Sequence, residues 1–225
     1  MKSLNRRQLL LGGILAIALS IPLTLAINFQ RQNLEGRANV TTSVLAIDAH
    51  VSVNQTKQVA SITSPNFSTR QAGELITVFL ASDGPAGTQQ EFTSVSAPGL
   101  PQFTLAKRAN SQEGTSEVWY TYAENKLTNV SITATRKNGS YRGLIDVVTF
   151  TGAAKTVGAT AAASAPNGGP SVNLTTTVPN AMVWAVGNDW DQAKVRKVGA
   201  NQKISRQFDD KKSDDTYWTQ YQKSP

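Results

Sequence analysis

Apolar and polar residues alternate with a period of two along most of the chain after position 43, which is the pattern of half-buried β-strands. In the first run, "VLAIDAHVSV" (44–53), five aliphatic side chains share one face: Leu45, Ile47, Ala49, Val51 and Val53. His50 then falls on the opposite, solvent-facing side, beside Asp48. The run "ELITVFLA" (74–81) is almost wholly apolar instead, which predicts a strand buried on both faces.

Further short runs with the strand pattern follow at close spacing: 102–108, 117–123, 129–136, 143–152, 171–178, 181–187, 202–208 and 215–222. Turn signals separate them, among them "SDGPAG" (82–87), "APGLP" (97–101) and "PNGGP" (166–170). The dipeptide Asn138-Gly139 between two runs predicts a tight hairpin. The predicted fold class is therefore all-β, an antiparallel two-sheet β-sandwich of the jelly-roll type over residues 44–225.

The N-terminal segment has the three-part plan of an export signal. A basic start with Arg6-Arg7 precedes an apolar run from Leu9 to Ala26, and the paired arginines are typical of a twin-arginine signal. Residues 1–26 are interpreted as a cleaved signal peptide or, alternatively, as an uncleaved membrane anchor helix. Residues 27–43 would then be a linker, and the rest of the chain would be secreted or held at the cell surface under both interpretations.

Composition excludes several kinds of chemistry. The 225-residue chain has no cysteine and one histidine, so thiolate zinc sites are impossible and a Ser-His-Asp triad would have to use His50. The formal net charge is +7, but the basic residues are scattered rather than clustered with aromatic ones. This distribution argues against a nucleic-acid partner.

The stretch "GNDWDQ" (187–192) offers the strongest candidate for a ligand site. It follows an apolar strand and sets Trp190 between Asp189 and Asp191. Three hypotheses fit it: the two carboxylates bind Ca²⁺, Trp190 stacks on a sugar ring, or Asp189 caps a turn while Trp190 covers the sandwich edge. Other acids could add calcium ligands if their loops share that end: Asp83, Asp209, Asp210, Asp214 and Asp215.

Tyrosines offer a second, weaker candidate. Tyr120 and Tyr122 share one face of the 117–123 run, and with Tyr217 they would form an outer aromatic platform for polysaccharide. Enzyme chemistry is poorly supported, because His50 and Asp48 form the one neighbouring imidazole–carboxylate pair and no nucleophile elbow is present. No cofactor is predicted apart from the calcium alternative.

Several stretches of the chain resemble an exported bacterial β-sandwich (jelly-roll or Ig-like) surface module without a settled activity. Among them are "ITSPNFSTRQAGELITVFLASDGP", "SVNLTTTVPNAMVWAVGNDWD" and "DDTYWTQYQ". The resemblance covers residues 44–222 and implies a non-catalytic role in binding polysaccharide or a neighbouring surface protein. The alternative is a secreted glycan-active enzyme or its accessory domain. The family's usual last strand is not seen after position 222, which would leave a neighbouring strand edge unpaired.

Overall fold

Eleven β-strands and one short 3-10 turn make up the regular structure of residues 44–223, which the computed structural model describes. In chain order these are β1 (Ala46–Val59), β2 (Ser61–Thr63), β3 (Glu74–Ser82), the 3-10 turn (Gly87–Gln89), β4 (Phe92–Ser96), β5 (Thr104–Ala109), β6 (Thr115–Ala123), β7 (Thr133–Arg136), β8 (Tyr141–Thr151), β9 (Met182–Asp189), β10 (Lys203–Asp210) and β11 (Asp215–Lys223). Every strand pairing is antiparallel, so the predicted all-β class is confirmed for these residues.

The strands form three sheets rather than the predicted two. The central sheet has the order β1-β8-β3-β6-β5, the β7 sheet has the order β2-β7-β4, and the β11 sheet has the order β10-β11-β9. The central sheet packs on the β7 sheet with one face and on the β11 sheet with the other. This arrangement is sandwich-like, with one layer more than the alternation along the chain indicated.

The central position of β3 explains its unbroken apolar sequence. All nine of its residues are buried, which confirms the burial predicted from "ELITVFLA". Val78 faces the β7 sheet with Val147 and Trp119 opposite it, while Phe79 faces the β11 sheet. Because each face of β3 packs against another sheet, side chains on both faces are buried, and the usual apolar–polar alternation is absent.

A β-bulge in β1 reverses the side chains of that strand. Ile47 lies opposite Phe150 and His50 lies opposite Val148, so three steps along β1 match two steps along β8. Leu45 and Ile47 therefore pack toward the β11 sheet, whereas the later aliphatic residues, Ala49, Val51 and Val53, pack toward the β7 sheet. The prediction of one common face for these five side chains is wrong for this reason.

Two further local predictions fail. Positions 171–178 form no strand, and Val172 and Val178 are 52% and 60% exposed. Asn138-Gly139 connects β7 to β8, which lie in different sheets, so the turn closes no hairpin. The predicted leader (1–26) and linker (27–43) lie outside the described residues. Among residues 44–223, no helix has the length and apolarity needed to span a membrane.

Candidate functional site

The tryptophan loop lies at the end of β9, where Asp189 pairs with Thr216 of β11. Asp189 Oδ1 accepts the backbone N–H of Asp191 at 3.0 Å, and Asp189 Oδ2 accepts a hydrogen bond from the Arg196 guanidinium at 2.5 Å. Trp190 is half-buried and Asp191 is exposed. Because Asp189 caps the turn and is neutralised by Arg196, the geometry favours the turn-capping hypothesis over the calcium hypothesis for this loop.

Other acids named from the sequence do share this end of the molecule, but internal donors occupy them. Arg142 donates to both oxygens of Asp210, at 2.9 and 3.1 Å, and the Asp83 carboxylate accepts the N–H of Gly84 at 2.6 Å. Tyr217 donates its hydroxyl to Asp215 at 2.7 Å. Within residues 44–223, no three His, Asp or Glu side chains are grouped as metal ligands.

Asp215 carries the clearest electrostatic signature at this end. Burial raises its pKa to about 6, and the nearby carboxylates of Asp83 and Asp210 add to the rise. Burial also raises the pKa of its partner Tyr217, which is fully buried. The suggestion that Tyr217 belongs to an outer aromatic platform is therefore wrong.

Tyr120 and Tyr122 lie on the β11-sheet side of the central sheet, half-buried against the cluster around Leu75 and Phe150. The ammonium of Lys155 sits 5.0 Å from the centre of the Tyr122 ring. The Ser116 hydroxyl donates to Asn188, next to the tryptophan loop, and Tyr122 lies six positions further along β6, or roughly 20 Å at the rise of an extended strand. The structure thus places the two tyrosines and the tryptophan loop in separate regions.

Trp184 is a core residue rather than a ligand-binding one. Its ring stacks on Phe79 at 5.4 Å and on Tyr221 at 4.8 Å between centroids. The edge of the His50 ring meets Trp184 at 6.2 Å, so His50 borders the same cluster.

His50 binds a carboxylate that the sequence did not indicate. Its Nε2 lies 2.6 Å from Oδ1 of Asp146, which is wholly buried and accepts the Thr219 hydroxyl on its other oxygen at 2.5 Å. The hydrogen bond to Asp146 raises the pKa of His50 above its ordinary value, against the opposing effect of burial. His50 lies on the face opposite Ala49 and Val51, as predicted, and its side chain is 34% exposed. The predicted pairing with Asp48 is wrong, because Asp48 lies in the bulge of β1 with its side chain 2% exposed, and His50 contacts Asp146 instead.

Ser205, His50 and Asp146 lie close together, but they do not form a catalytic triad. The hydroxyl of Ser205 lies 3.4 Å from His50 Nε2, the same nitrogen that contacts Asp146. In a catalytic triad the acid and the nucleophile contact opposite ring nitrogens, so that the proton can pass through the imidazole. The geometry of these three residues does not provide that path.

A groove lies beside β4, at the open edge of the β7 sheet, and is completed by the loop that joins β4 to β5 and by Trp119 of β6. It encloses about 320 Å³ and is lined by Thr93, Ser94, Val95, Ser96, Ala97, Leu100, Pro101, Gln102, Phe103 and Trp119. Trp119 donates its indole N–H to Glu117 at 2.8 Å, which leaves the ring as an apolar base. None of the lining side chains carries a charge.

The loop that forms one wall of the groove is the "APGLP" stretch, which the sequence indicated only as a turn. Gly99 adopts a φ of 77°, and the Leu100 N–H donates to the Ala97 carbonyl at 3.3 Å. The Thr121 hydroxyl fixes the loop to β6 by donating to the Pro101 carbonyl at 3.3 Å. The sequence signal for this groove is weak: it consists of Pro and Leu residues in the turn, followed by Gln102.

Comparison with protein-family models, curated proteins and solved structures found no match. The functional argument therefore depends on the geometry of the described residues.

Proposed function

We propose that this chain is an exported, non-catalytic β-sandwich module that binds neutral polysaccharide in the groove between β4 and the loop that joins β4 to β5. The observation that carries the proposal is the uncharged lining of that groove, which combines an apolar base with hydroxyl and amide side chains. Ligand sites of proteins have this character, with mostly apolar walls and a few placed polar groups, and they commonly enclose roughly 300–1,000 Å³.

The chemistry of the lining matches a sugar chain. Leu100 and Pro101 offer apolar surface for the C–H faces of sugar rings, and the Trp119 ring, which is 9% exposed, closes the base of the groove. Ser94, Ser96 and Gln102 supply hydroxyl and amide groups that both donate and accept hydrogen bonds. A charged sugar would find no counter-charge among the lining side chains, which is why the proposal names a neutral polysaccharide.

A neighbouring protein strand fits the groove less well. Such a strand would add to the open edge of β4, yet β4 has five residues and a register shift between Phe92 and Ser94. Short and bulged edges disfavour strand addition. Pro98 and Pro101 border the groove loop and lack the backbone N–H that an added strand requires.

Export and absence of catalysis are the other two parts of the proposal. The basic and apolar pattern of residues 1–26 supports export, by cleavage or by anchoring. A glycosidase needs two carboxylates that face one cleft, and no acid lines this groove. The jelly-roll class is proposed from the strand pattern of the sequence and from the resemblance. A place at the bacterial cell surface is proposed from the export-signal pattern and from the resemblance.

Affinity electrophoresis of the full chain tests the proposal. Gels containing dextran, xylan, galactomannan or mixed-linkage β-glucan are compared with gels containing polygalacturonate. We expect at least one neutral polysaccharide to retard the wild-type chain. The variant Ser94→Arg fills the groove from an exposed position and should weaken that retardation at least tenfold, because a bulky cation then occupies the sugar path.

The variant Trp190→Ala is the matched control, since it removes an aromatic side chain at a different site. It should bind as well as the wild type, and circular dichroism melts verify that both variants remain folded. Retardation by no neutral polysaccharide would contradict the proposal. Loss of binding in Trp190→Ala but not in Ser94→Arg would move the site to the tryptophan loop.

A further inference from the structure

Three adjacent strands of the central sheet bring oxygen-bearing side chains into one row. Asp48 lies in the bulge of β1, Thr149 lies in β8, and Glu74 begins β3, on the far side of β8. The Thr149 hydroxyl accepts the N–H of Ala49 at 2.9 Å, which fixes the bulge against β8. The Asp48 side chain is 2% exposed, and Glu74 and Thr149 are 0% exposed.

Glu74 has no hydrogen-bond partner for either carboxylate oxygen among the described residues, although it is wholly buried. The Thr149 hydroxyl, the Asp48 carboxylate and the Gln71 backbone N–H lie within reach of it, but none makes a well-formed bond. Burial raises the pKa of Glu74 above its ordinary value, and Asp48 raises it further. A buried carboxylate beside a second carboxylate is strongly unfavourable unless a positive charge or a proton lies between them.

We propose that Asp48, Glu74 and the Thr149 hydroxyl bind one Ca²⁺ ion in this row. The buried oxygens of Glu74 are the observation that points to a ligand, since Asp48 and Thr149 lie beside them and neither makes a well-formed hydrogen bond with them. Ca²⁺ accepts six to eight oxygen ligands and combines carboxylates with hydroxyls, carbonyls and water. Two carboxylates and a hydroxyl leave room for water and backbone carbonyls to complete the shell.

Among residues 44–223, Arg70 forms an ion pair with Asp48, and no cation forms one with Glu74. Arg70 contacts Asp48 through its backbone N–H at 2.7 Å and through Nε at 3.2 Å, but its side chain is 84% exposed. Arg70 therefore meets Asp48 from the solvent side and leaves Glu74 without a counter-charge. All the candidate ligands are oxygen atoms, which suit calcium better than zinc or copper. Site affinities on the order of 10⁻⁴–10⁻³ M are usual for calcium in extracellular modules.

Calorimetric titration and thermal unfolding of the full chain test the site, in one detergent-containing buffer freed of metals. Wild-type protein should bind one Ca²⁺ ion, with a melting temperature that rises with CaCl2 concentration and responds much less to MgCl2. The variant Glu74→Gln should bind Ca²⁺ at least tenfold more weakly and lose the rise in melting temperature. Glu124→Gln, which changes an exposed acid that pairs with Lys155, should retain both.

The variant Asp48→Asn provides a second reading if Glu74→Gln fails to fold, and it should lose calcium binding in the same way. A wild-type chain that neither binds Ca²⁺ nor gains thermal stability from it would overturn the proposal, and a shared proton would then hold the two carboxyls together. Equal calcium responses in wild type, Glu74→Gln and Asp48→Asn would overturn it as well, because the ion would then bind elsewhere.

Discussion

Glu117 and Glu74 are both wholly buried glutamates in adjacent strands of the central sheet, yet their surroundings are opposite. Glu117 accepts hydrogen bonds from the Phe92 N–H at 2.8 Å, the Thr115 hydroxyl at 3.0 Å and the Trp119 indole at 2.8 Å. The Arg108 guanidinium also donates to it at 3.0 Å and lies 2.9 Å away through Nε. Glu74 has no ion pair among the described residues, and the Thr149 hydroxyl and Gln71 backbone N–H within its reach make no well-formed hydrogen bond with it.

The difference in hydrogen-bond partners distinguishes a structural carboxylate, Glu117, from Glu74, which we propose binds a ligand. A buried charge is tolerated when every lone pair is occupied and a counter-charge is adjacent, and Glu117 meets both conditions. Glu74 meets neither. The substitution of glutamate by glutamine should therefore have opposite effects on stability at the two positions. The free energy of unfolding of each variant measures this difference.

The largest effect is expected for Glu117→Gln. The substitution replaces one acceptor oxygen by an amide that points N–H groups at the donors around it and leaves Arg108 without its buried counter-charge. Breaking such a pair costs about 3 kcal/mol here, at the low end of the usual range, because Arg108 keeps Glu91 at 3.1 Å. Urea unfolding followed by Trp fluorescence measures the loss.

Glu113→Gln is the matched control, since Glu113 is exposed in the loop before β6. Its unfolding free energy should stay within about 0.5 kcal/mol of the wild type. A Glu117→Gln variant as stable as Glu113→Gln would show that the ring of donors around Glu117 contributes no net stability.

Asp215 is intermediate between the two glutamates, because it is 2% exposed and accepts the Tyr217 hydroxyl but has no cationic partner among the described residues. Its pKa is raised from 3.8 to about 6 in the folded state. The folded chain therefore holds a proton that the unfolded chain has lost between these values, and folding stability falls as the pH rises through that window. The loss above pH 6 is on the order of 3 kcal/mol at most.

The variant Asp215→Asn isolates this contribution. Its amide oxygen still accepts the Tyr217 hydroxyl, but the side chain no longer ionises. The free energies of unfolding of the two chains should diverge as the pH rises from about 4 to about 7, with the variant gaining relative to the wild type. Denaturant titrations at several pH values measure this difference, and parallel profiles for the two chains would contradict the assignment to Asp215.

A structural feature could be predicted from the sequence when the residues that cause it are neighbours along the chain. Burial of β3 on both faces could be predicted from residues 74–81 alone, because the run is apolar at almost every position. The turn at Asp189 could be predicted in the same way, because Asp189 bonds the N–H of Asp191 two positions on. Local patterns report local geometry.

The side of β1 on which Leu45 and Ile47 pack could not be predicted from that strand. The bulge depends on the pairing with β8, whose partner residues are about a hundred positions away, and one extra residue reverses the whole pattern. The groups beside Glu74 are also distant in sequence, with Asp48 in one strand and Thr149 in another. The charge state of a buried group follows from such non-local neighbours, which a single sequence does not reveal.

The smallest effect is expected for Glu74→Gln in calcium-free buffer, and its sign is the sharpest part of the contrast. The glutamine removes a buried negative charge, and its amide can donate a hydrogen bond to Asp48, so the variant should be as stable as the wild type or more stable by up to about 1 kcal/mol. Urea unfolding in EDTA measures the difference. A loss as large as that expected for Glu117→Gln would mean that Glu74 has a stabilising partner without calcium. A gain would show that the carboxylate at position 74 opposes folding when no cation is bound, which is the behaviour expected of a group that binds a ligand.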